Sequence, residues 1–133
     1  MKTLKLTFVL LLFVTGVVFS QDIETKTIKF AKGSSGTTIK GSIKGDNTID
    51  YILNAREGQI LKVELTTNNS SNYFNLLNPD ENDVAFYNSS MDGNSYEGVL
   101  TVSGDHKIRV YLMRSAARRE ESAKFKLKVS VTD

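Results

Sequence analysis

The side chains best suited to chemistry in this 133-residue chain are four arginines near its C-terminal end. They are Arg109, Arg114, Arg118 and Arg119. A guanidinium is planar, stays charged at physiological pH and binds a carboxylate through two parallel hydrogen bonds. Arg114 and Arg118 are four residues apart, so they share a face if residues 115–119 form a helical turn. The cluster favours a surface that binds an acidic partner; a solvated cluster neutralised by the neighbouring glutamates is the alternative.

The rest of the chain offers little for catalysis. It has no cysteine and one histidine, His106, with no Gly-x-Ser-x-Gly motif that would supply a nucleophile. The parity that His106 shares with Ile108 and Val110 predicts a half-exposed aromatic at the start of a strand. A zinc site lacks thiolates and a second imidazole. We therefore predict no catalytic residue, no metal site and no cofactor, hence a protein that is not an enzyme.

One acidic turn leaves a second interpretation open. Residues 78–83 read Asn-Pro-Asp-Glu-Asn-Asp and supply hard oxygen ligands that suit calcium. They lack the spacing of an EF-hand, and the same residue types are required by a tight surface turn.

Apolar residues alternate with polar ones in segment after segment, which is typical of half-buried strands. The clearest runs are residues 49–55, 61–65, 108–112 and 125–131, with shorter ones at 28–30, 39–43, 74–76, 84–86 and 96–102. Turn residues separate them. The pattern predicts an all-β fold, a single antiparallel β-sandwich of eight or nine short strands. Only residues 115–122 are suited to a helical turn.

The N-terminus predicts export. Lys2 and Lys5 precede an apolar run that is too short for a good membrane span, and Ser20 ends a small-residue cleavage region. We predict a signal peptide at 1–20, a domain at 21–133, a periplasmic location and no stable membrane insertion. Without cysteine, the exported domain has neither a lipid anchor on that residue nor a disulfide.

Removal of the predicted signal changes the charge balance. The chain has 17 basic and 15 acidic residues, and residues 1–20 contain two lysines and no acid, which leaves 15 of each. A net charge of zero removes the electrostatic support for nucleic-acid binding. The arginine cluster is therefore a local feature.

Two stretches resemble the pre-peptidase C-terminal type of β-sandwich. They are Tyr51-x-x-x-Ala55-x-x-Gly58-Gln59-x-x-x-Val63 and Gly104-x-His106-x-Ile108-x-Val110, with His106 where that family usually has tyrosine.

More narrowly, the chain resembles the periplasmic inhibitors of g-type (goose-type) lysozyme. The matching pieces run along nearly the whole exported domain: Ile43-Lys-Gly45, Tyr51 with Ala55-x-x-Gly58-Gln59, Tyr73-Phe-x-Leu-x-x-Pro79, Gly98-x-Leu100-x-x-Ser-Gly104 and Arg114-x-x-Ala117-Arg118. The resemblance implies a bacterial protein that binds a g-type lysozyme and blocks its substrate cleft, with loop tyrosines and the paired arginines contributing. Tyr51 is the retained tyrosine, whereas Asp46, Asn47 and Thr48 stand where the family places tyrosines after Lys-Gly.

These observations predict a partner-binding surface made of Arg114, Arg118, Arg119, Tyr51, Arg109 and Tyr111. Arg109 and Tyr111 are out of phase with the core-facing residues of their strand and are expected to face outward. A carbohydrate- or peptide-binding sandwich module is the alternative, in which Tyr73, Tyr87 and Tyr111 stack against sugars. A catalytic sandwich with unidentified acids is a third, weaker possibility.

Overall fold

Residues 23–133 are described by the computed structural model and form nine strands and two short helices. In chain order these are β1 (Ile23–Thr27), β2 (Gly36–Lys44), β3 (Thr48–Ala55), β4 (Ile60–Thr67), β5 (Asn72–Leu77), β6 (Tyr87–Asn88), α1 (Ser89–Asp92), β7 (Ser95–Val99), β8 (Gly104–Leu112), α2 (Arg114–Arg118) and β9 (Ser122–Thr132). One sheet, sheet A, has the strand order β1-β3-β8-β5-β6, and the other, sheet B, has the order β2-β9-β4-β7. The predicted all-β sandwich is confirmed.

The alternation of buried and exposed side chains in β8 and β9 explains how the two sheets face each other. In β8 the buried side chains are His106, Ile108, Val110 and Leu112, and in β9 they are Ala123, Phe125, Leu127, Val129 and Val131. Successive side chains of a strand point to opposite sheet faces, so both strands present an apolar row to the core and a polar row to solvent. β8 and β9 each lie between two other strands of their sheet, which places them at the centre of the sandwich.

The first strand differs from the prediction. The pattern of Ile28 and Phe30 predicts a strand there, but β1 ends at Thr27 and only the Ile28 N–H extends its pairing, to the carbonyl of Ile52 at 2.8 Å. β1 pairs with β3 in parallel, against the antiparallel arrangement of all other strand pairs in residues 23–133. All five β1 side chains are exposed, so it carries no apolar alternation that would reveal it.

Two further details correct the sequence-based expectations. His106 is 1 % exposed, not half-exposed, because its ring occupies a core position and its Nδ1 lies 3.0 Å from the carbonyl oxygen of Gly104. Val84 and Phe86 do not form a strand, since only Tyr87 and Asn88 pair with β5. The helical turn predicted within residues 115–122 is present as α2, one residue earlier.

The predicted signal at 1–20 lies outside the described residues. Neither helix within residues 23–133 has the length and apolar character needed to cross a membrane.

Candidate partner-binding site

Helix α2 is a single turn that presents two arginines outward. Ala116 and Ala117 are buried, at 0 % and 4 % exposure. Their small side chains let the helix backbone pack closely against the core. Arg114 and Arg118 are exposed, and their spacing of four residues puts them on the same side of the turn. The sequence Arg-Ser-Ala-Ala-Arg thus places its apolar pair inward and its cations outward.

A tight cap ends α2 and turns the chain into β9. Glu120 has φ 55, the left-handed conformation common just past a helix C-terminus. The Glu120 N–H donates to Ala117 O at 3.0 Å, and the Glu121 N–H donates to Ala116 O at 3.1 Å. This is the pair of hydrogen bonds of a Schellman motif, which satisfies helix carbonyls that otherwise lack partners.

Two other connections meet α2 at the same end of the sandwich. From the β2–β3 turn, the Gly45 N–H donates to Glu121 O at 2.9 Å. From the β4–β5 connection, Ser71 O accepts a hydrogen bond from the Met113 N–H at 2.9 Å, and Asn69 Nδ2 donates to Glu121 Oε1 at 3.1 Å. The helical segment is therefore held from both sides by main-chain and side-chain hydrogen bonds, which fix the backbone from which its arginines project.

The three arginines of the helical segment are not electrostatically equivalent. Arg119 pairs with Glu121, with Nε and Nη2 at 2.7 Å and 2.6 Å from Oε2. This hydrogen bond, with a smaller contribution from Asn69, lowers the pKa of the Glu121 carboxyl. Within residues 23–133, Arg114 and Arg118 have no carboxylate within salt-bridge distance. Glu121 therefore neutralises the charge of Arg119, whereas the charges of Arg114 and Arg118 remain available to a partner.

Arg109 faces outward as predicted, but its charge is already paired. Its Nε and Nη2 donate to the two carboxylate oxygens of Asp50 at 2.8 Å and 3.0 Å, and its Nη1 donates to Asn82 O at 3.0 Å. The Asp50 hydrogen bond is the main cause of a raised pKa for Arg109. Asp50 therefore offsets the charge that Arg109 was expected to add to the basic surface, and a partner contact of Arg109 stays a prediction.

A concavity of about 320 Å³ joins sheet A to α2. It is lined by ten residues, among which are Asp46, Asn75, Arg109, Tyr111 and Arg114. Tyr111 pairs across the sheet with Tyr73, with ring centroids 6.5 Å apart. Three of the predicted residues thus share one depression, with Arg118 next to it on α2 and Arg119 outside it.

Tyr51 is not part of this surface. Its side chain is 2 % exposed and packs edge-on against Phe125, with ring centroids 6.4 Å apart and an interplanar angle of 82°. An inward strand position thus buries the ring away from the concavity, and a partner contact of Tyr51 stays a prediction. The Tyr87 ring also packs against other aromatic side chains, since its centroid lies 5.7 Å from that of Phe74 and 4.8 Å from that of Tyr96.

Sequence reasoning missed several residues of the site. The sequence marks Asp46 only as a departure from the family pattern and Asn69 only as part of a turn, neither as a residue of the site. Asp46 follows Gly45 in the turn and lines the concavity with Arg114. Its position after Lys-Gly is the one signal that would have singled it out, since the resemblance places partner-contacting side chains there.

The acidic turn at residues 78–83 lies against sheet A and is engaged by a cation of the protein itself. Lys107 Nζ donates to Glu81 O at 3.1 Å and to Asn82 Oδ1 at 2.6 Å. The ammonium thus takes oxygens that a calcium ion would need. In the part of the chain that the structure describes, no three metal-ligating side chains cluster.

Known proteins are similar to this chain in fold and in sequence. The crystal structure of Aeromonas hydrophila PliG, a periplasmic lysozyme inhibitor of g-type lysozyme, is 34 % identical, with a TM-score of 0.79 over 85 % of this chain and 100 % of that one. The chain belongs to the family of periplasmic inhibitors of g-type lysozyme. The curated inhibitor of g-type lysozyme from Escherichia coli K12 is 26 % identical over 98 % of this chain and 97 % of that protein. No protein-family model matches the chain.

A more distant similarity concerns the fold alone. The pre-peptidase C-terminal domain of a Bacillus anthracis collagenase is 18 % identical, with a TM-score of 0.53 over 85 % of this chain and 97 % of that one. Both resemblances drawn from the sequence are thus confirmed. Membership of the inhibitor family also confirms the periplasmic location and the prediction that the chain is not an enzyme.

Proposed function

We propose that this protein inhibits a g-type lysozyme by inserting α2 into the substrate cleft. The observation that carries the proposal is the pair Arg114 and Arg118, exposed on one side of a braced helical turn and, within residues 23–133, without a carboxylate at salt-bridge distance. Lysozyme clefts contain carboxylates, because glycoside hydrolysis uses one carboxyl group as acid and a second as base or nucleophile. Two guanidinium groups carried by an anchored helical turn can pair with such carboxylates and exclude substrate.

The anchoring of α2 to its neighbouring connections supports this mechanism of inhibition. The hydrogen bonds that involve Gly45, Asn69 and Ser71 orient α2 before any partner binds. A group that is already ordered loses less conformational entropy on binding than one on a mobile loop. Desolvated arginines are frequent energetic anchors of interfaces. The concavity beside Arg114 adds Tyr111 as an apolar contact that borders the cations.

The test measures lysis of a peptidoglycan suspension by goose-, chicken- and invertebrate-type lysozymes with and without the purified protein. We expect inhibition of the goose type. Arg114→Ala with Arg118→Ala should weaken it by at least about 2 kcal/mol, roughly thirtyfold. Arg56→Ala with Lys32→Ala is the matched control, since it removes the same charge from exposed positions outside α2. Full inhibition by the arginine double variant would refute the role of α2.

A carbohydrate-binding module is the second candidate function. It rests on the Tyr73–Tyr111 pair, whose half-buried rings lie side by side on the outer face of sheet A. Absence of inhibition of all three lysozymes, together with sugar binding lost in Tyr111→Ala, would favour this function.

We also propose that residues 1–20 are a cleaved signal and that 21–133 is the mature domain. The charged start, the short apolar run and the small residues before Gln21 support this division. Mass spectrometry of the protein recovered from the periplasm should show Gln21 at its N-terminus. A mass that retains Lys2 and Lys5 would contradict it.

A further inference from the structure

The outer face of sheet B carries a cluster of cations that the inhibitor role does not use. Strands β2 and β9 contribute five exposed lysines and contain no acidic residue: Lys40, Lys44, Lys124, Lys126 and Lys128. Within residues 23–133 none of the five has a carboxylate at salt-bridge distance. The domain at 21–133 has equal numbers of basic and acidic residues, so this face is locally basic in a neutral protein.

The pairing of the strands makes this cluster costly. Lys40 and Lys126 are directly opposite each other in the β2–β9 ladder. Like charges in that relationship destabilise a sheet. On its other side Lys126 faces the neutral Thr66, whereas Lys128 faces Glu64. No carboxylate on the neighbouring strand therefore relieves the repulsion between Lys40 and Lys126. A pair of like charges that destabilises its own sheet is expected at a functional surface.

Three of the five lysines, Lys40, Lys124 and Lys126, line a depression of about 940 Å³, here named the lysine groove. Four of its lining residues are lysines: Lys26, Lys40, Lys124 and Lys126. Four more carry hydroxyl or amide groups: Ser42, Thr66, Thr67 and Asn68. The one acid, Glu24, lies 3.6 Å from the Lys26 ammonium. The two remaining lining residues are Gly41 and Phe125, of which Phe125 is buried. The groove thus combines excess positive charge with neutral hydrogen-bonding groups.

We propose that the lysine groove binds an acidic glycan, a polymer whose sugar hydroxyls and carboxylates match the two kinds of side chain that line it. Cell-wall peptidoglycan, with its carboxylate-bearing peptides, has this chemistry. An anionic membrane surface fits less well. Surfaces that lie on membranes combine cations with inserted apolar side chains, and none of the exposed large apolar residues of the described chain lines the groove.

The groove is adjacent to α2 but distinct from it. Asn68 Oδ1 accepts the Lys124 N–H at 2.9 Å on the groove side, and the next residue, Asn69, braces Glu121. No residue lines both the groove and the concavity beside Arg114. A protein held on the polymer through sheet B therefore keeps Arg114 and Arg118 free. This binding goes beyond the inhibitor role and does not depend on it.

The test is co-sedimentation of the purified protein with insoluble peptidoglycan sacculi across a salt series. We expect binding that weakens with salt, because exposed charges are screened. Lys40→Gln with Lys126→Gln should weaken it about tenfold, a loss of about 1.4 kcal/mol. Since this variant removes a like-charge pair, it should fold at least as well as the parent. Lys29→Gln with Lys32→Gln is the matched control, because it removes the same charge from exposed positions outside the groove.

Three comparisons make the outcome decisive. Sacculi whose carboxylates have been amidated should bind weakly, which separates charge recognition from adhesion. The Lys40/Lys126 variant should still inhibit lysozyme, and the Arg114/Arg118 variant should still sediment, so the two functions fail independently. The proposal is overturned by equal losses in the groove and control variants, by loss in Tyr111→Ala instead, by sedimentation only with phosphatidylglycerol vesicles, or by no binding to sacculi.

Discussion

The Arg119 guanidinium and the Glu121 carboxylate form an ion pair, with Nη2 2.6 Å from Oε2. The same carboxylate accepts a hydrogen bond from Asn69, so it links the end of α2 to the β4–β5 connection. Arg119 therefore belongs to the bracing of the helix, whereas Arg114 and Arg118 present the charge. This division separates two roles that a cluster of adjacent arginines conceals in the sequence.

Arg119→Ala should have a modest effect on inhibition. Exposed ion pairs are screened by solvent and contribute little, so the loss of inhibition should stay below roughly fivefold. Inhibition constants measured beside those of Arg114→Ala and Arg118→Ala would show the ranking. A loss for Arg119→Ala as large as that for either of the other two would mean that Arg119 itself contacts the enzyme.

Asp46→Asn should increase inhibition. Asp46 shares the concavity with Arg114, and its charge opposes approach to a carboxylate-rich cleft. We expect a gain of about two- to fivefold, mainly in the association rate and smaller at high salt. Asp105→Asn, at the start of β8 and so at the opposite end of that strand from α2, is the control. A decrease in Asp46→Asn would indicate that Asp46 positions Arg114.

Arg109→Ala should destabilise the fold. Asp50 is 7 % exposed in its side chain, so removal of its partner leaves a nearly buried carboxylate unpaired. Such a change costs about 3 kcal/mol. Urea unfolding would measure it, and Asp50→Asn with Arg109→Ala should recover part of the loss. Unchanged stability together with weakened inhibition would instead make Arg109 a contact residue.

The bracing of α2 should depend on pH. The pKa of Glu121 is lowered from 4.5 in the folded protein, chiefly by Arg119. Its contribution to stability is therefore fully present above about pH 4.5, the value for an unfolded glutamate, and is lost as pH falls through the lowered pKa. Thermal unfolding from pH 7 to pH 3 should show a decrease in the acid range that is smaller in Glu121→Gln. Equal acid sensitivity of the two proteins would assign the decrease to other carboxyl groups.

The sequence predicted those parts of the molecule that depend on local pattern. The alternation of Ile108, Val110 and Leu112 identifies a strand and its inner face, and Arg-Ser-Ala-Ala-Arg identifies a helical turn. The parallel strand β1 was missed, because its side chains are all exposed and carry no period of two.

Long-range pairing is what local pattern does not contain. Arg109 and Asp50 meet because β3 and β8 pair in a register that places them opposite each other. The same holds for Lys40 and Lys126 in β2 and β9. Burial of Tyr51, by contrast, agrees with the local pattern, since it shares its strand parity with the buried Ile49, Leu53 and Ala55.

The position of α2 between β8 and β9 has a mechanical consequence. Both strands are interior to their sheets. The helix is therefore joined to strands that are released only after the edge strands of either sheet have separated. Local opening is cheapest where few contacts must break. We therefore expect the centre of the sandwich to resist a pull on α2 by a departing partner, and the backbone amides in the middle of β8 and β9 to be among the slowest to exchange.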